Sequence, residues 1–120
     1  MISKYFKESE FTCHCGCGFN AIDQNLVYIL DDIREYIGKP ISIESGCRCL
    51  NHNRAVGSKD SSAHVEGKAV DIRCSDSNYR YVLVAMLLAK GIKRIGIGNT
   101  FVHADISTKL PQNVMWDYYK

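Results

Sequence analysis

The chain has 120 residues, 46% of them apolar and 23% charged, with a formal net charge of +2. This size and composition describe one globular domain over 1–120 with a single modest core, and exclude disorder. The charge is too mild to indicate nucleic acid, and no apolar run approaches the ~20 residues of a membrane span, so a monomer with neither partner is expected.

Residues 1–10 read as a short polar arm or one helical turn. They lack the apolar stretch of a signal peptide, which predicts synthesis in the cytoplasm. Phe11-Thr12-Cys13-His14-Cys15-Gly16-Cys17-Gly18 is a poor helix with two glycines and reads as a compact loop. Asp23 is a suitable N-cap for a helix over 24–37, whose Leu26, Ile29, Leu30, Ile33 and Ile37 define one buried face. Gly38 and Pro40 end it. Ile41 to Ser45 alternates as a strand that delivers Gly46 and Arg48 to one end of a sheet. Cys49 to Val56 forms a short helix closed by Gly57, and Lys59 to Ser62 is a polar loop.

Residues 68–73 alternate again, so Val70 and Ile72 enter the core while Asp71 faces the other side. Asp76 or Ser77 caps a helix over 78–90 with Val82, Leu83, Met86 and Leu87 inward, stopped by Gly91. Ile92 to Gly98 is the next strand, and Asn99-Thr100 turns it into an antiparallel hairpin with 101–106. Pro111 to Lys120 is a tail carrying Trp116, Tyr118 and Tyr119. The expected architecture is α+β, a small, mainly antiparallel sheet with two principal helices on one face.

Chemistry concentrates in two of these strands. His64 precedes Gly67 and the strand carrying Asp71, and His103 shares a strand face with Asp105. Two histidines and a carboxylate, with one coordination position open, are a common ligand set for a hydrolytic zinc site. Asp71 has a competing reading as a partner of Arg73 or Lys68, but an exposed pair is worth only ~0–1 kcal/mol. His52 reads as a surface residue, and His14 is ambiguous beside its cysteines. A serine nucleophile is disfavoured because nothing resembles a nucleophile elbow.

The cysteines form two groups, Cys13, Cys15 and Cys17, and Cys47 and Cys49, while Cys74 reads as a lone packed thiol. Disulfides made after release from the cell and a second, structural zinc held by both groups stand as equal alternatives. Four thiolates would close the coordination sphere, so this set is not the catalytic centre.

Ser62-x-His64-x-x-Gly67-x-Ala69-x-Asp71, followed by Phe101-Val102-His103-x-Asp105, resembles the zinc D-Ala-D-Ala carboxypeptidase family. That family includes peptidoglycan endopeptidases and shares a metal-site core with the hedgehog signalling domain. Ser45-Gly46-Cys47-Arg48 resembles its Ser-Gly-Tyr-Arg block with Cys47 in place of Tyr, and Asn53-x-x-Val56-Gly57 also fits. The similarity runs from Phe11 to Trp116 and is closest to small single-domain members common in bacteriophages.

The resemblance implies a Zn²⁺ peptidase in which His64, Asp71 and His103 hold the metal, with the fourth position left to water. Its substrate would be the peptide stems of peptidoglycan, cut by a carboxypeptidase or an endopeptidase (endolysin) reaction. Arg48 would bind a substrate carboxylate or the oxyanion, and Ser62 would hydrogen-bond near metal or substrate. Better-known members carry an acid three residues before the last histidine; here that residue is Thr100. Asp105 then becomes a candidate for general base, orienter of a histidine or alternative ligand, with Glu66 as a second candidate base. The implied place of action is the cell wall after release, or the virion. The alternative function is a zinc-stabilised binding module without hydrolysis, and a redox or zinc-ribbon protein ranks third.

Overall fold

The computed structural model describes residues 2–119. One turn of 3-10 helix over Glu8–Glu10 leads into α1 (Gln24–Ile37), β1 (Ile43–Ser45), α2 (Leu50–Ala55) and β2 (Ala69–Arg73). Then come α3 (Ser77–Ala89), β3 (Arg94–Ile97), β4 (Phe101–Asp105) and β5 (Val114–Asp117). The sheet order is β1-β2-β4-β3-β5. Every pair is antiparallel except β3 with β5, which is parallel. The α+β architecture read from the sequence is the one observed.

Helix α1 starts where Asp23 accepts from the Asn25 backbone N–H at 2.8 Å and ends at Gly38, which takes the left-handed conformation. Its fully buried residues are Leu26, Val27, Leu30 and Ile33, with Ile29 and Ile37 at the margin. A cap contributes about 1 kcal/mol, whereas each fully buried Leu, Ile or Val contributes roughly 1.5–3 kcal/mol. Packing, not capping, therefore holds α1 in place. Helix α3 is capped by Asp76 through the Tyr79 N–H at 2.7 Å and buries Leu83 and Leu87. Both helices pack over the face formed by Val70, Ile72, Val102, Ala104 and Ile95. Phe6 and Phe11 complete this core, so the N-terminal arm is a packed element despite its polar composition.

Because successive strand residues point to opposite faces, the other face carries a different register. Ser45 pairs with Asp71, Asp71 with His103, His103 with Gly96, and Gly96 with Trp116. These five residues form one row across all five strands. The neighbouring row is Ala69, Asp105, Arg94 and Val114. The helices α1 and α3 cover the core face, and this other face holds the candidate chemistry.

The sequence reading assigns no element to the tail that carries Trp116, Tyr118 and Tyr119; within it Val114–Asp117 joins the sheet as β5. Its parallel pairing requires the chain to return over residues 106–113, and four largely exposed residues leave little periodicity to read. Among the described residues no helix is long and apolar enough to cross a membrane.

The turn between His64 and Asp71 depends on Gly67. Its φ is +76°, and a Cβ there would lie 1.9 Å from the Ala21 carbonyl oxygen. That close approach lets the Gly67 carbonyl accept from Asp23 N–H at 2.8 Å, while Lys68 pairs with the Asp23 carboxylate at 2.9 Å. The start of α1 is thereby tied to the turn. Gly67→Ala should therefore lower unfolding free energy by more than about 2 kcal/mol, combining left-handed strain with a backbone clash. Urea melts should show a reduced midpoint with an unchanged slope, and an unshifted midpoint would disprove this role for the turn.

Candidate metal centre

Asp71 stands in the middle of the polar row with an imidazole on either side. His103 Nδ1 lies 2.9 Å from Asp71 Oδ1, and His64 Nε2 lies 3.4 Å from the same oxygen. Strand pairing positions the first contact, since Asp71 and His103 are direct partners on β2 and β4. The turn at Gly67 folds His64 back over the strand to make the second. Both rings are nearly enclosed, and their centroids are 5.1 Å apart in an edge-on arrangement.

The far side of each ring is also committed. His64 Nδ1 is 2.6 Å from the Gly46 carbonyl oxygen, which can only accept, so Nδ1 carries the proton and donates. His103 Nε2 is 2.7 Å from Asp105 Oδ2 and donates to that carboxylate. Neutral rings with these protons would aim bare lone pairs from His64 Nε2 and His103 Nδ1 at an anionic oxygen. Only an added proton or a cation balances that arrangement. Burial alone would raise the Asp71 carboxyl pKa, but the hydrogen bonds and charges of His103 and His64 outweigh it and hold the group well below the usual carboxylate range. Burial alone would lower the His103 pKa, and its bonds to Asp105 and Asp71 reverse the shift to upward.

A divalent cation is the other solution. The three facing ligand atoms of His64, Asp71 and His103 all lie within 4.8 Å of one another. Two imidazole nitrogens, a carboxylate oxygen and one side open to a cavity fit zinc in a hydrolytic setting. The outward bonds from His64 and His103 are the outer contacts that fix tautomer and ring direction in such sites.

Asp105 is fully enclosed and its oxygens are occupied. Arg94 Nε donates to Oδ1 at 2.9 Å and to Oδ2 at 3.1 Å, the Ser107 N–H donates to Oδ1 at 3.1 Å, and His103 takes Oδ2. Glu66 does not line the cavity; its carboxylate accepts from Ser107 Oγ at 2.9 Å. Thr100 is exposed in the β3–β4 connection, where its carbonyl accepts from Cys74 N–H at 2.8 Å.

The cavity above His64, Asp71 and His103 has a volume of about 800 Å³, with Arg48, Ser62, Trp116 and Tyr118 on its walls. Arg48 Nη2 lies 3.5 Å from Ser62 Oγ, while its Nε is buried without a hydrogen-bond partner among the described residues. Burial pulls the Arg48 pKa down, opposed by the charges of Asp71 and Tyr118. Asp71 does not pair with Arg73 or Lys68; those cations face Glu44 and Asp23 respectively. His52 is half-buried and His14 exposed, and neither belongs to a metal-ligating group.

Three contributors escaped the sequence reading. Arg94 was read only as a strand residue, although its register opposite Asp105 is what places it. The Gly46 carbonyl carries no side-chain signal at all. Trp116 reaches His103, with ring centroids 5.4 Å apart, because Gly96 lies between them in the row. A Cβ at Gly96 would meet the Trp116 indole at 2.7 Å.

A family model described as Peptidase M15 matches residues 4–105, which contain both histidine blocks and Arg48. No curated protein matches the chain. On a match covering most of its length, the chain belongs to the peptidase M15 family of zinc D-Ala-D-Ala carboxypeptidase-like enzymes.

Proposed function

We propose that this peptidase hydrolyses the peptide stems of bacterial peptidoglycan. The observation that carries the reading is the convergence of His64 Nε2 and His103 Nδ1 on one Asp71 oxygen at the floor of an open cavity. His64, Asp71 and His103 would hold the metal. Zinc supplies Lewis-acid polarisation of a carbonyl and acidifies water.

The chain's own groups do the rest. The Gly46 carbonyl and the Asp105 carboxylate keep the two imidazoles in the tautomers that face the metal. Arg94 pairs with the fully buried Asp105 carboxylate at 2.9 Å and holds it against the His103 ring. Arg48 lines the cavity beside the site, and its guanidinium is suited to a substrate carboxylate or a developing oxyanion. Stem peptides carry such carboxylates, which is why they suit this cavity better than an uncharged peptide. Trp116 and Tyr118 form an aromatic wall that shields one side of His103 from water. With both oxygens engaged, Asp105 is better placed to orient His103 than to act as the base.

Purified, zinc-loaded protein incubated with peptidoglycan should generate new amino groups detectable by mass spectrometry, and His64→Ala should abolish them. Zinc-loaded wild type that cleaves a generic peptide but leaves peptidoglycan intact would overturn the substrate assignment.

Asp105→Asn tests the orienting role. The amide must turn an NH₂ towards either Arg94 or His103, so zinc affinity should fall by about 10–100-fold, with activity largely restored by added zinc. A fall in turnover of roughly 10²–10⁴ at unchanged zinc affinity would instead make Asp105 the base.

A further inference from the structure

A second group of ligands lies away from the peptidase centre. Cys13, Cys15, Cys17 and Cys49 bring four sulfurs within 4.8 Å of one another. Individual separations are 3.5 Å for Cys13–Cys15, 3.8 Å for Cys13–Cys49 and 3.6 Å for Cys15–Cys49. All six cysteines of the chain are free thiols. Four thiolates around one zinc, at a metal–sulfur distance of about 2.3 Å, form a tetrahedron with edges of roughly 3.8 Å. The observed spacing therefore suits a shared metal, whereas a disulfide joins two sulfurs at about 2.05 Å and leaves the others out.

The local backbone is built for this convergence. In an extended chain three cysteines separated by single residues would share one face but sit about 7 Å apart from one to the next, too far for one metal. Gly16 at φ +86° and Gly18 at φ +82° coil the loop so that all three sulfurs face one point. The fourth sulfur arrives from Cys49 at the start of α2. Backbone N–H groups aim at the sulfurs, from Cys49 to Cys13, from His52 to Cys49 and from Phe19 to Cys17, each at 3.4 Å. Such N–H donors stabilise thiolate charge around a metal. Cys47, by contrast, faces the Ala21 N–H at 3.3 Å and Asn20, outside the cluster, which corrects the five-cysteine set expected from sequence.

We infer that Cys13, Cys15, Cys17 and Cys49 bind a structural zinc ion that staples the N-terminal loop to the segment Gly46–Cys49. That segment carries the Gly46 carbonyl on His64 and the Arg48 side chain in the cavity. It is held on one side by Cys47 N–H to the Phe11 carbonyl at 2.8 Å, and on the other by Arg48 N–H to the His64 carbonyl at 3.1 Å. The zinc fixes the end of this segment, in a loop where Cys15 and Cys17 are exposed and apolar packing contributes little. With four thiolate ligands the site is closed and supplies no open position for substrate.

Elemental analysis of protein purified under reductant should give two zinc ions per chain. The count should fall to one in Cys17→Ser, fall to one in the His64→Ala/His103→Ala double variant, and stay at two in Cys47→Ser. Cobalt substitution of the double-histidine variant should retain strong thiolate-to-metal charge-transfer absorption. This arm decides the matter even if Cys17→Ser fails to fold. A double-histidine variant without metal, a charge-transfer band lost in Cys47→Ser, or an intact mass lower by two hydrogens per disulfide would overturn the proposal.

Discussion

The organising interaction is the Asp71 carboxylate held between two imidazoles on the open face of the sheet. A buried carboxylate is costly to ionise unless opposite charge reaches it, and here two histidines reach the same oxygen. The outward face of each ring is then consumed, by a backbone carbonyl at His64 and by a second carboxylate at His103. Asp105 needs its own counter-charge, which Arg94 provides at 2.9 Å. The site is a chain of paired buried charges, and removing any member leaves its neighbour uncompensated.

The fold serves this chain of contacts through register. Asp71, His103 and Arg94 occupy three different strands, and a shift of one residue in any pairing would send the side chain into the core. Apolar packing of Val70, Ile72, Val102 and Ile95 against α1 and α3 fixes that register from the opposite face. Gly67 supplies the one element outside the sheet, by allowing the chain to pass against Ala21 and bring His64 back over Asp71. Core and site are thus two faces of one alternation.

Much of this was legible in sequence because the alternation is unbroken in 69–73 and 101–105. Val70 and Ile72 declared one face, which left Asp71 on the other; His103 and Asp105 followed the same logic. Both principal helices were readable from their apolar spacing and their Asp caps. What escaped was information that no side-chain pattern encodes. The Gly46 carbonyl acts through the backbone, and Arg94 looks like any strand arginine until its partner strand is known. β5 is short, exposed and parallel to a strand distant from it in sequence, so neither it nor the contact of Trp116 with His103 could be foreseen. Among the cysteines, spacing could not separate Cys47 from Cys49, because only the turn into α2 sends one sulfur to the loop and the other toward Asn20.

The central claim is that His64 Nε2, His103 Nδ1 and Asp71 share a metal ion while Asp105 stays on the far side of the His103 ring. Anomalous diffraction from zinc-loaded crystals, with data on either side of the zinc edge, tests it most directly. The account predicts a peak bonded to His64 Nε2, His103 Nδ1 and the Asp71 carboxylate. A peak bonded instead to His103 Nε2 and Asp105, or no peak between the two histidines, would contradict it.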